Sequence, residues 1–386
     1  MRELRLVEAT SLVAGAGIGG GVMAVPLLVT SVGLMPAILI MLVAYGVTVT
    51  LHIMIAELSL KTDCSSELLT VFTRHLFHDG KLVRGIFYVL MAVTLICNLA
   101  AYITGSGSIL TNLAGIPLIL SEVLFFVFAA AVVLLGLKRV AINETVVLLV
   151  MFVFLAVLAV STFQLPAQQQ QALPATSWAP FPLLAVYGMV MFSLSSLFAV
   201  PQVASGLRGD RRRLLVAIGT GLLINLLVIA VVTLCTLLSS STVTQVAIIG
   251  WTEALGGPTR IFGSLFIVLA MLTTFWSISL QLADMTRSFF RTGRFFAWII
   301  ATIPAFLLAL LPLTSFLDLM QIAGGATAVI IAFMAVPAYL NATRVAQSSQ
   351  DTACNRGLLL GRLGRSRILC GVIVVMYLLM AVASFL

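Results

Sequence analysis

The sequence contains few charged residues: 9% of its 386 residues are Asp, Glu, Lys or Arg, against about 25% in an average soluble domain. Hydrophobic residues make up 61%. Apolar stretches of about 20 residues, the length that crosses a bilayer, follow one another along the whole chain. No soluble fold hides that much apolar surface, so the composition excludes a separate soluble domain and predicts a polytopic membrane protein.

Cysteine is also scarce, and no CxxC pair is present, which argues against a zinc site or a disulfide framework. We interpret the five cysteines as packing residues: Cys64, Cys97, Cys235, Cys354 and Cys370. A cleaved signal peptide is not expected either. Acidic residues interrupt the basic N-terminal stretch and no small-residue cleavage site follows it, so we expect the first span to be retained.

Hydropathy predicts eleven transmembrane helices, with boundaries defined to within about four residues. The predicted spans are 6–30, 34–58, 85–111, 115–137, 141–164, 180–205, 213–239, 260–286, 295–312, 315–340 and 366–386.

The basic residues indicate the orientation. With eleven spans and a cytoplasmic N-terminus, all but Arg260 of the 21 Lys and Arg residues fall on the cytoplasmic side, which is the positive-inside pattern. This placement explains the net charge of +8 without a nucleic-acid partner. We predict a multi-pass protein of the cell inner membrane with an external C-terminus. The cytoplasmic set is Arg2, Arg5, Lys61, Arg74, Lys81, Arg84, Lys138, Arg139, Arg208, Arg211, Arg212, Arg213, Arg287, Arg291, Arg294, Arg344, Arg356, Arg362, Arg365 and Arg367.

The first predicted span contains five glycines within residues 15–21. Each glycine lowers helix propensity by about 1 kcal/mol, so we expect the helix to break there. A break facing lipid would leave backbone amides without partners, so the unwound segment must line a protected cavity where a ligand or an ion satisfies them. Close helix packing through GxxxG pairs is the alternative. A dinucleotide-binding fingerprint is excluded because no strand precedes the glycines.

The sixth predicted span carries a second break signal. Residues 196–201 share the ending Ala-Val-Pro with residues 21–26 of the first span, although residues 335–337 repeat the same three letters. Five spans separate the two segments, and an odd number of spans inverts the second half relative to the first. Inverted repeats whose broken helices meet near the bilayer midplane are typical of secondary transporters.

These patterns divide the chain into four parts. Residues 1–164 form the first repeat, with spans one to five, and residues 165–179 form an uncharged external linker. Residues 180–340 form the second repeat, with spans six to ten. Residues 341–386 hold a cytoplasmic loop and the eleventh span.

Several segments resemble the aromatic amino acid permeases, the tryptophan and tyrosine permease family. They are the glycine-rich residues 15–26, the Ala-Tyr-Ile-Thr-Gly-Ser-Gly run at 101–107, residues 273–284 and Ala-Gly-Gly at 323–325. The likeness covers nearly the whole chain. It implies an all-α membrane protein with a leucine-transporter-type five-plus-five inverted repeat, discontinuous helices 1 and 6, and one extra C-terminal helix.

The chain departs from the family at the sixth helix. These permeases typically carry a Phe-Gly-Phe-His-like stretch at the break, whereas residues 191–196 here read Met-Phe-Ser-Leu-Ser-Ser. Without the histidine and the glycine, the sixth helix does not carry the family's usual motif at the break. A smaller or aliphatic neutral amino acid is the alternative substrate.

The resemblance also implies where an amino acid would bind. Amides of the first break are expected to hold its carboxylate, with help from the Tyr102 hydroxyl, and carbonyls near the sixth break are expected to receive its ammonium. Phe192 and Phe275 are candidates for the side-chain pocket, with core packing as the alternative for each. The candidate substrate residues are Ala16, Gly17, Ile18, Gly19, Gly20, Gly21, Val22, Tyr102, Phe192, Ser193, Ser195, Ser196 and Phe275.

Ionisable residues inside spans are costly and suggest function. Asp284 is either a coupling site or the partner of Arg287 in an internal ion pair. His52 is either a titrating group or a core histidine with satisfied nitrogens. The remaining intramembrane carboxylates are Glu8, Glu57, Glu122, Glu144 and Asp318, of which all but Glu122 lie near span ends.

No cofactor is expected beyond a coupling ion. Thr274 and Ser277 would face the first break and form a sodium site of oxygen ligands, as in the leucine transporter, whereas the family favours protons. No lysine lies in the fifth span to act as a fixed cation. We expect proton coupling, with sodium as the alternative.

The predicted function is therefore a symporter that imports neutral, aromatic or hydrophobic, amino acids. Its partners are the substrate and the bilayer, and no obligate protein partner is evident. An enzyme is not expected because HExxH, GxSxG and paired intramembrane aspartates are missing. A channel is not expected either, because the sequence contains no pore-loop or selectivity-filter motif. A non-transporting amino acid sensor with a partner at loop 59–84 remains the other alternative.

Overall fold

The computed structural model describes residues 4–62, 68–76, 81–135, 140–208, 210–311, 315–348, 360, 364 and 366–385. Within these ranges the regular secondary structure is helical throughout. The helices are α1 Leu6–Gly17, α2 Gly20–Val29, α3 Leu34–Lys61, α4 Leu68–Leu76, α5 Lys81–Ala114, α6 Leu118–Leu135, α7 Val140–Phe163, α8 Pro180–Ser193, α9 Val200–Gly206, α10 Arg211–Ser239, α11 Ala247–Leu255, α12 Thr259–Phe290, α13 Arg294–Ala309, α14 Phe316–Ile330, α15 Val336–Ser348 and α16 Arg367–Ala383, with a π-helical turn at Ile331–Ala335.

The apolar helices fall into two groups. In the described part of the chain, six helices are long and apolar enough to cross a membrane, and the bent pair α1 and α2 makes a seventh. Four more apolar helices, α6, α8, α13 and α16, are shorter. The helix ends agree with the predicted spans to within about four residues, except that α15 continues to Ser348 rather than ending at 340. The helix α15 packs on α4, and Asn341 in this extension donates to the His75 carbonyl of α4.

The first break divides α1 from α2, whose axes differ by 52°. A Cβ added to Gly17 would collide with the Asn225 side chain, and one added to Gly21 would lie 2.7 Å from Ser193 Oγ and 3.2 Å from Ser193 Cα. Glycine is therefore needed on both sides of the break because neighbouring helices approach the backbone closely.

The second break separates α8, which ends at Ser193, from α9, which begins at Val200. Pro201 lies in the first turn of α9, where its missing N–H would have no helical partner anyway. Residues 194–199 between the two helices form turns rather than helix. The span predicted at 180–205 is thus interrupted about two thirds of the way along.

Helix packing places both breaks in the middle of the molecule. α5 lies centrally and contacts α6, α12, α13 and α14, while α1 packs on α10 and α2 packs on α8. Two short helices lie in connections where hydropathy predicts none. α4 packs on α15, and α11 packs on α10 and α12.

The intramembrane carboxylates differ in their surroundings. Glu57 is buried, with 4% of its surface exposed, although it lies near a span end. Its Oε1 lies 3.3 Å from Lys61 Nζ. Glu122 is 3% exposed, and its Cγ lies where a Cβ on Gly107 would stand. Near the helix ends, Glu8 accepts from the Arg5 amide and Asp318 from the Ser315 amide.

The pair predicted between Asp284 and Arg287 is present but it is not internal. Asp284 Oδ1 lies 3.7 Å from Arg287 Nη1, and the two side chains are 73% and 51% exposed. The physical reason is the helix register, because residues 284 and 287 share a face of α12 that points away from the packed helices.

Several predictions lie outside the described residues: those for Cys64, Cys354, Arg2, Lys138, Arg139, Arg356, Arg362 and Arg365, parts of loop 59–84, and the side chains of Lys81, Glu144 and Arg344. The other cysteines, Cys97, Cys235 and Cys370, are buried and not disulfide-bonded.

Candidate functional site

Hydrogen bonds hold the second break to α1 and to α10. The Ser196 hydroxyl, in the second break, donates to the Val13 carbonyl of α1 at 2.7 Å. From α10, Asn225 Nδ2 donates to the Ser193 carbonyl at the end of α8 at 3.0 Å. Side chains thus satisfy carbonyls at both breaks, which keeps the unwound segments at a fixed separation in an apolar environment.

His52 supports the second break from α3. Its Nε2 accepts the Ser196 amide hydrogen at 2.9 Å, and its Nδ1 lies 2.8 Å from the Thr48 carbonyl. An amide only donates and a carbonyl only accepts, so the ring is neutral with its proton on Nδ1. Of the two sequence interpretations, the structure therefore favours a buried histidine whose nitrogens are both satisfied.

A cavity of about 60 Å³ lies between the breaks, α5 and α12. Eleven of the sequence-predicted candidates line it: Ala16, Gly17, Gly19, Gly21, Tyr102, Phe192, Ser193, Ser195, Ser196, Thr274 and Ser277. The structure thus brings together residues from four separate predicted spans.

The other candidates lie off the cavity wall. Ile18 and Val22 are buried with the core. Phe275 is fully buried and packs edge-on against Phe125, with ring centroids 6.0 Å apart, so the alternative of core packing describes it. Asp284 is exposed on α12.

Tyr102 points its hydroxyl at the first break. A Cβ on Gly19 would lie 2.7 Å from the Tyr102 hydroxyl oxygen, and the Gly20 amide hydrogen-bonds the same oxygen. The ring of Phe316 packs over Gly20 from α14, at 3.0 Å from where a Cβ would stand. Two aromatic rings therefore cover the α-carbon of Gly20, and no room is left for a side chain at this position.

Thr274 contacts the same break from α12. Its hydroxyl oxygen lies 2.9 Å from the Ala270 carbonyl and 3.4 Å from the Ile18 carbonyl. Ser277, one turn along α12, lines the cavity. Oxygen atoms from a threonine and from a break carbonyl are the kind of hard ligands that small cations prefer.

The cavity carries no ionised side chain among its described lining residues. Its field comes from helix ends, because the N-terminus of α2 attracts negative charge and the C-terminus of α8 attracts positive charge. Among the described residues, no group of three or more His, Cys, Asp or Glu could hold a metal ion. The site suits a small ligand that brings its own opposite charges.

Sequence reasoning missed eight lining residues: Leu12, Asn98, Phe198, Ala199, Gln202, Ile278, Gln281 and Thr327. It also missed Asn225. Asparagine and glutamine inside a span are a usable signal, because unpaired amides are costly in hydrocarbon. Asn98, Gln202, Asn225 and Gln281 all lie within predicted spans and carry this signal.

Solved structures of membrane transporters share this fold. A manganese transporter from Eremococcus coleocola, crystallised with an aromatic bis-isothiourea substituted compound, matches with a TM-score of 0.68 and 16% identity, over 100% of this chain and 90% of that one. Mhp1, a nucleobase-cation-symport-1 family transporter in a closed conformation with bromovinylhydantoin bound, matches with a TM-score of 0.66 and 12% identity, over 99% and 91%. The fold is thus that of the leucine-transporter-like membrane transporters.

Sequence comparison identifies the family. The model of the tryptophan/tyrosine permease family matches residues 2–382, and the chain belongs to that family. The protein is therefore a multi-pass membrane transporter. Glutamine transporter 2 of Aliivibrio fischeri is 26% identical over 140 residues, a match that covers only about a third of either chain, 35% of each.

Proposed function

We propose that this chain is a secondary active symporter that imports neutral amino acids by alternating access. The observation that carries the proposal is the cavity between two hydrogen-bonded helix breaks, which has no ionised side chain among its described lining residues. Such a site suits a zwitterion, because helix ends attract both charges without a fixed counter-ion.

The proposed binding mode follows the helix ends. The substrate carboxylate lies at the N-terminus of α2, near the Tyr102 hydroxyl and the first amides of α2. The expectation that all amides of residues 18–22 bind it does not hold, because those of Ile18, Gly19 and Val22 already donate to backbone carbonyls. The ammonium lies at the end of α8, near carbonyls and hydroxyls of Ser193, Ser195 and Ser196. Phe192 contributes to the side-chain pocket, whereas Phe275 supports the site from behind.

The substrate is a neutral amino acid. The name of the family favours an aromatic or hydrophobic one. The serine-rich second break and the glutamine transporter relative favour a smaller or more polar one. The family and the fold relatives are transporters, which argues against an enzyme.

We propose proton coupling, following the family, with sodium coupling as the second candidate. One specific observation supports sodium: Thr274 Oγ1 and the Ile18 carbonyl lie 3.4 Å apart next to the cavity. Two oxygen ligands of one cation would be separated by roughly that distance, given metal–oxygen bonds of about 2.4 Å. Asp284 is a weaker coupling candidate because it is exposed and distant from this pair.

We also propose the full membrane arrangement. Seven spans from the long helices and the bent pair, together with the four shorter apolar helices, are consistent with eleven crossings. Residues 1–164 and 180–340 would form inverted repeats joined by the external linker 165–179, with residues 341–386 carrying the last crossing. The N-terminus would face the cytoplasm of a cell with this chain in its inner membrane, and the C-terminus would face outward.

The deciding experiment is uptake of radiolabelled amino acids into proteoliposomes under an imposed proton gradient or an imposed sodium gradient. Saturable uptake driven by one gradient supports the symporter and identifies its ion. Binding with no uptake under either gradient would contradict it and favour the sensor alternative. Protein-free liposomes, and proteoliposomes in which the gradients are collapsed by an ionophore, are the controls.

A further inference from the structure

Asn98 is a buried amide that faces the cavity. It lies on α5, one turn before Tyr102, is 4% exposed and lines the cavity wall. Its Nδ2 donates to the Thr94 carbonyl at 3.1 Å. That bond fixes the amide orientation, because in the flipped amide Oδ1 would face the Thr94 carbonyl oxygen with no hydrogen between the two oxygens.

The Asn98 amide uses one of its two N–H groups in the bond to the Thr94 carbonyl. Because Asn98 lines the cavity, its second N–H and its Oδ1 are placed to pair with a ligand or with water there. Leaving such groups unpaired would cost about 1–3 kcal/mol. A leucine of similar shape would fill the same space without that cost, so packing alone does not account for an asparagine at this position.

The distance between Asn98 and the first break determines how long the substrate side chain must be to reach the Asn98 amide. The Tyr102 hydroxyl touches Gly19 and Gly20, where the proposed carboxylate lies. Asn98 is four residues earlier on the same face of α5, a rise of about 6 Å. A side chain with two methylene groups and a polar end spans that gap, whereas a serine hydroxyl falls short.

We propose that the substrate of this site is a neutral amino acid with a carboxamide side chain, glutamine in particular, and that Asn98 selects it. The free N–H of Asn98 donates to the carboxamide oxygen of the substrate. The substrate carboxamide N–H donates to Asn98 Oδ1. This inference rests on the proposed amino acid transport and narrows it from neutral amino acids to one side-chain class.

The reciprocal pair explains selectivity against other neutral amino acids. An aliphatic side chain would leave both Asn98 groups unpaired, and an indole would satisfy only the acceptor. Sites built to hydrogen-bond a substrate group reject analogues that lack it far more strongly than apolar pockets reject a change in size. Phe192 and Ile278 on the same cavity wall are placed to contact the methylene groups.

The test compares glutamine, leucine and tryptophan on the purified full chain, by binding in detergent and by uptake into proteoliposomes. The informative variant is Asn98→Leu, which keeps the volume and removes both hydrogen-bonding groups. The matched control is Asn112→Leu, the same change on the same helix. Asn112 bonds to Arg260 and Glu253 and does not line the cavity.

We expect the wild type to prefer glutamine over leucine by at least tenfold in affinity. Asn98→Leu should lose at least tenfold in glutamine affinity and prefer leucine over glutamine. Asn112→Leu should keep the wild-type ratio of glutamine affinity to leucine affinity, even if its uptake rate changes. A wild type that prefers tryptophan or leucine, or an Asn98→Leu variant with an unchanged ratio, would overturn the assignment while leaving amino acid transport intact. Absence of binding by every amino acid would overturn the proposed function itself.

Discussion

The backbone amide of Ser196 donates to Nε2 of His52 at 2.9 Å, so a side chain of the second predicted span supports the break in the sixth. The ring reaches this position because its Nδ1 is held by the Thr48 carbonyl one turn earlier. Since Ser196 also bonds α1 through its hydroxyl, His52 fixes the relative position of both breaks.

Two conservative variants of His52 are expected to behave differently. Glutamine places an acceptor close to the position of Nε2, whereas asparagine reaches only the position of Nδ1 and leaves the Ser196 amide without a partner. His52→Gln should keep substrate affinity within about threefold, and His52→Asn should lose roughly tenfold, equivalent to about 1.4 kcal/mol. Equilibrium binding of the preferred amino acid checks this. Equal losses in both variants would contradict a specific role for the Nε2 acceptor.

The glycines of the first break are expected to be intolerant of side chains. Gly20→Leu would drive its side chain into Phe316 and Tyr102, whose carbons already lie 3.0 and 3.1 Å from an added Cβ. We expect binding and uptake to be abolished while the protein is still expressed in the membrane. Gly46→Leu is the matched control, because no atom lies within 4 Å of a Cβ there. Wild-type uptake by Gly20→Leu would refute the assignment of the break to the site.

Glu57 is expected to stabilise the end of α3. Its Oε1 lies 3.3 Å from Lys61 Nζ and its Oε2 accepts from the Tyr339 hydroxyl at 3.1 Å, with the Glu57 side chain only 5% exposed. Glu57→Ala leaves the Lys61 charge poorly solvated, and we expect a loss of about 3 kcal/mol in unfolding free energy. Tyr339→Phe removes one neutral donor and should cost about 1 kcal/mol.

Thermal unfolding in detergent measures both Glu57 effects. Removing both charges in Glu57→Ala with Lys61→Ala should recover part of the loss, since no uncompensated charge is then left. A double variant less stable than Glu57→Ala would show that the packing of the Lys61 side chain, rather than its pairing with Glu57, dominates the stability at this site.

The docking of α4 is expected to depend on pH through His75. The His75 ring bonds the Thr62 hydroxyl at 3.0 Å, and Asn341 of α15 donates to its carbonyl at 3.3 Å. Burial, and then the charges of Arg74 and Lys61, lower the pKa of His75 below its ordinary value. The undocked helix therefore binds more protons than the docked one, so docking weakens as pH falls through about 6.5.

Hydrogen exchange of residues 68–76, corrected for intrinsic rates, checks this at about pH 7.5 and about pH 5.5. We expect faster exchange at the lower pH in the wild type and a much smaller difference in His75→Gln. The same difference in both proteins would assign the pH dependence to another group.

The outline of the fold was predictable because hydropathy and glycine content are local properties. The glycines at 15–21 located the first break, and the structure leaves residues 18 and 19 outside helix. The short helices α4 and α11 were missed because span-length hydropathy windows detect only crossings. The π-helical turn before Pro337 was missed too, although a proline that cannot donate a hydrogen bond is a plain cause of irregularity.

The site was only partly predictable. Serines and glycines at the two breaks were found because they interrupt helices. The contacts of Asn225 with Ser193, and of Thr274 with Ile18, join residues 32 and 256 positions apart. Such contacts depend on how the helices pack, which a single sequence does not specify.

The interrupted helices also bear on how a family of transporters diversifies. Main-chain amides and carbonyls are the same groups in every amino acid, so a substitution at residues 18–22 or 193–199 removes none of them, although close neighbours exclude side chains at Gly20 and Gly21. In the proposed site these groups bind the part that all amino acids share. The Asn98 carboxamide on α5, by contrast, is lost with a single substitution. The proposed choice of substrate therefore depends on single side chains, whereas the proposed binding of the common part depends on the path of the backbone.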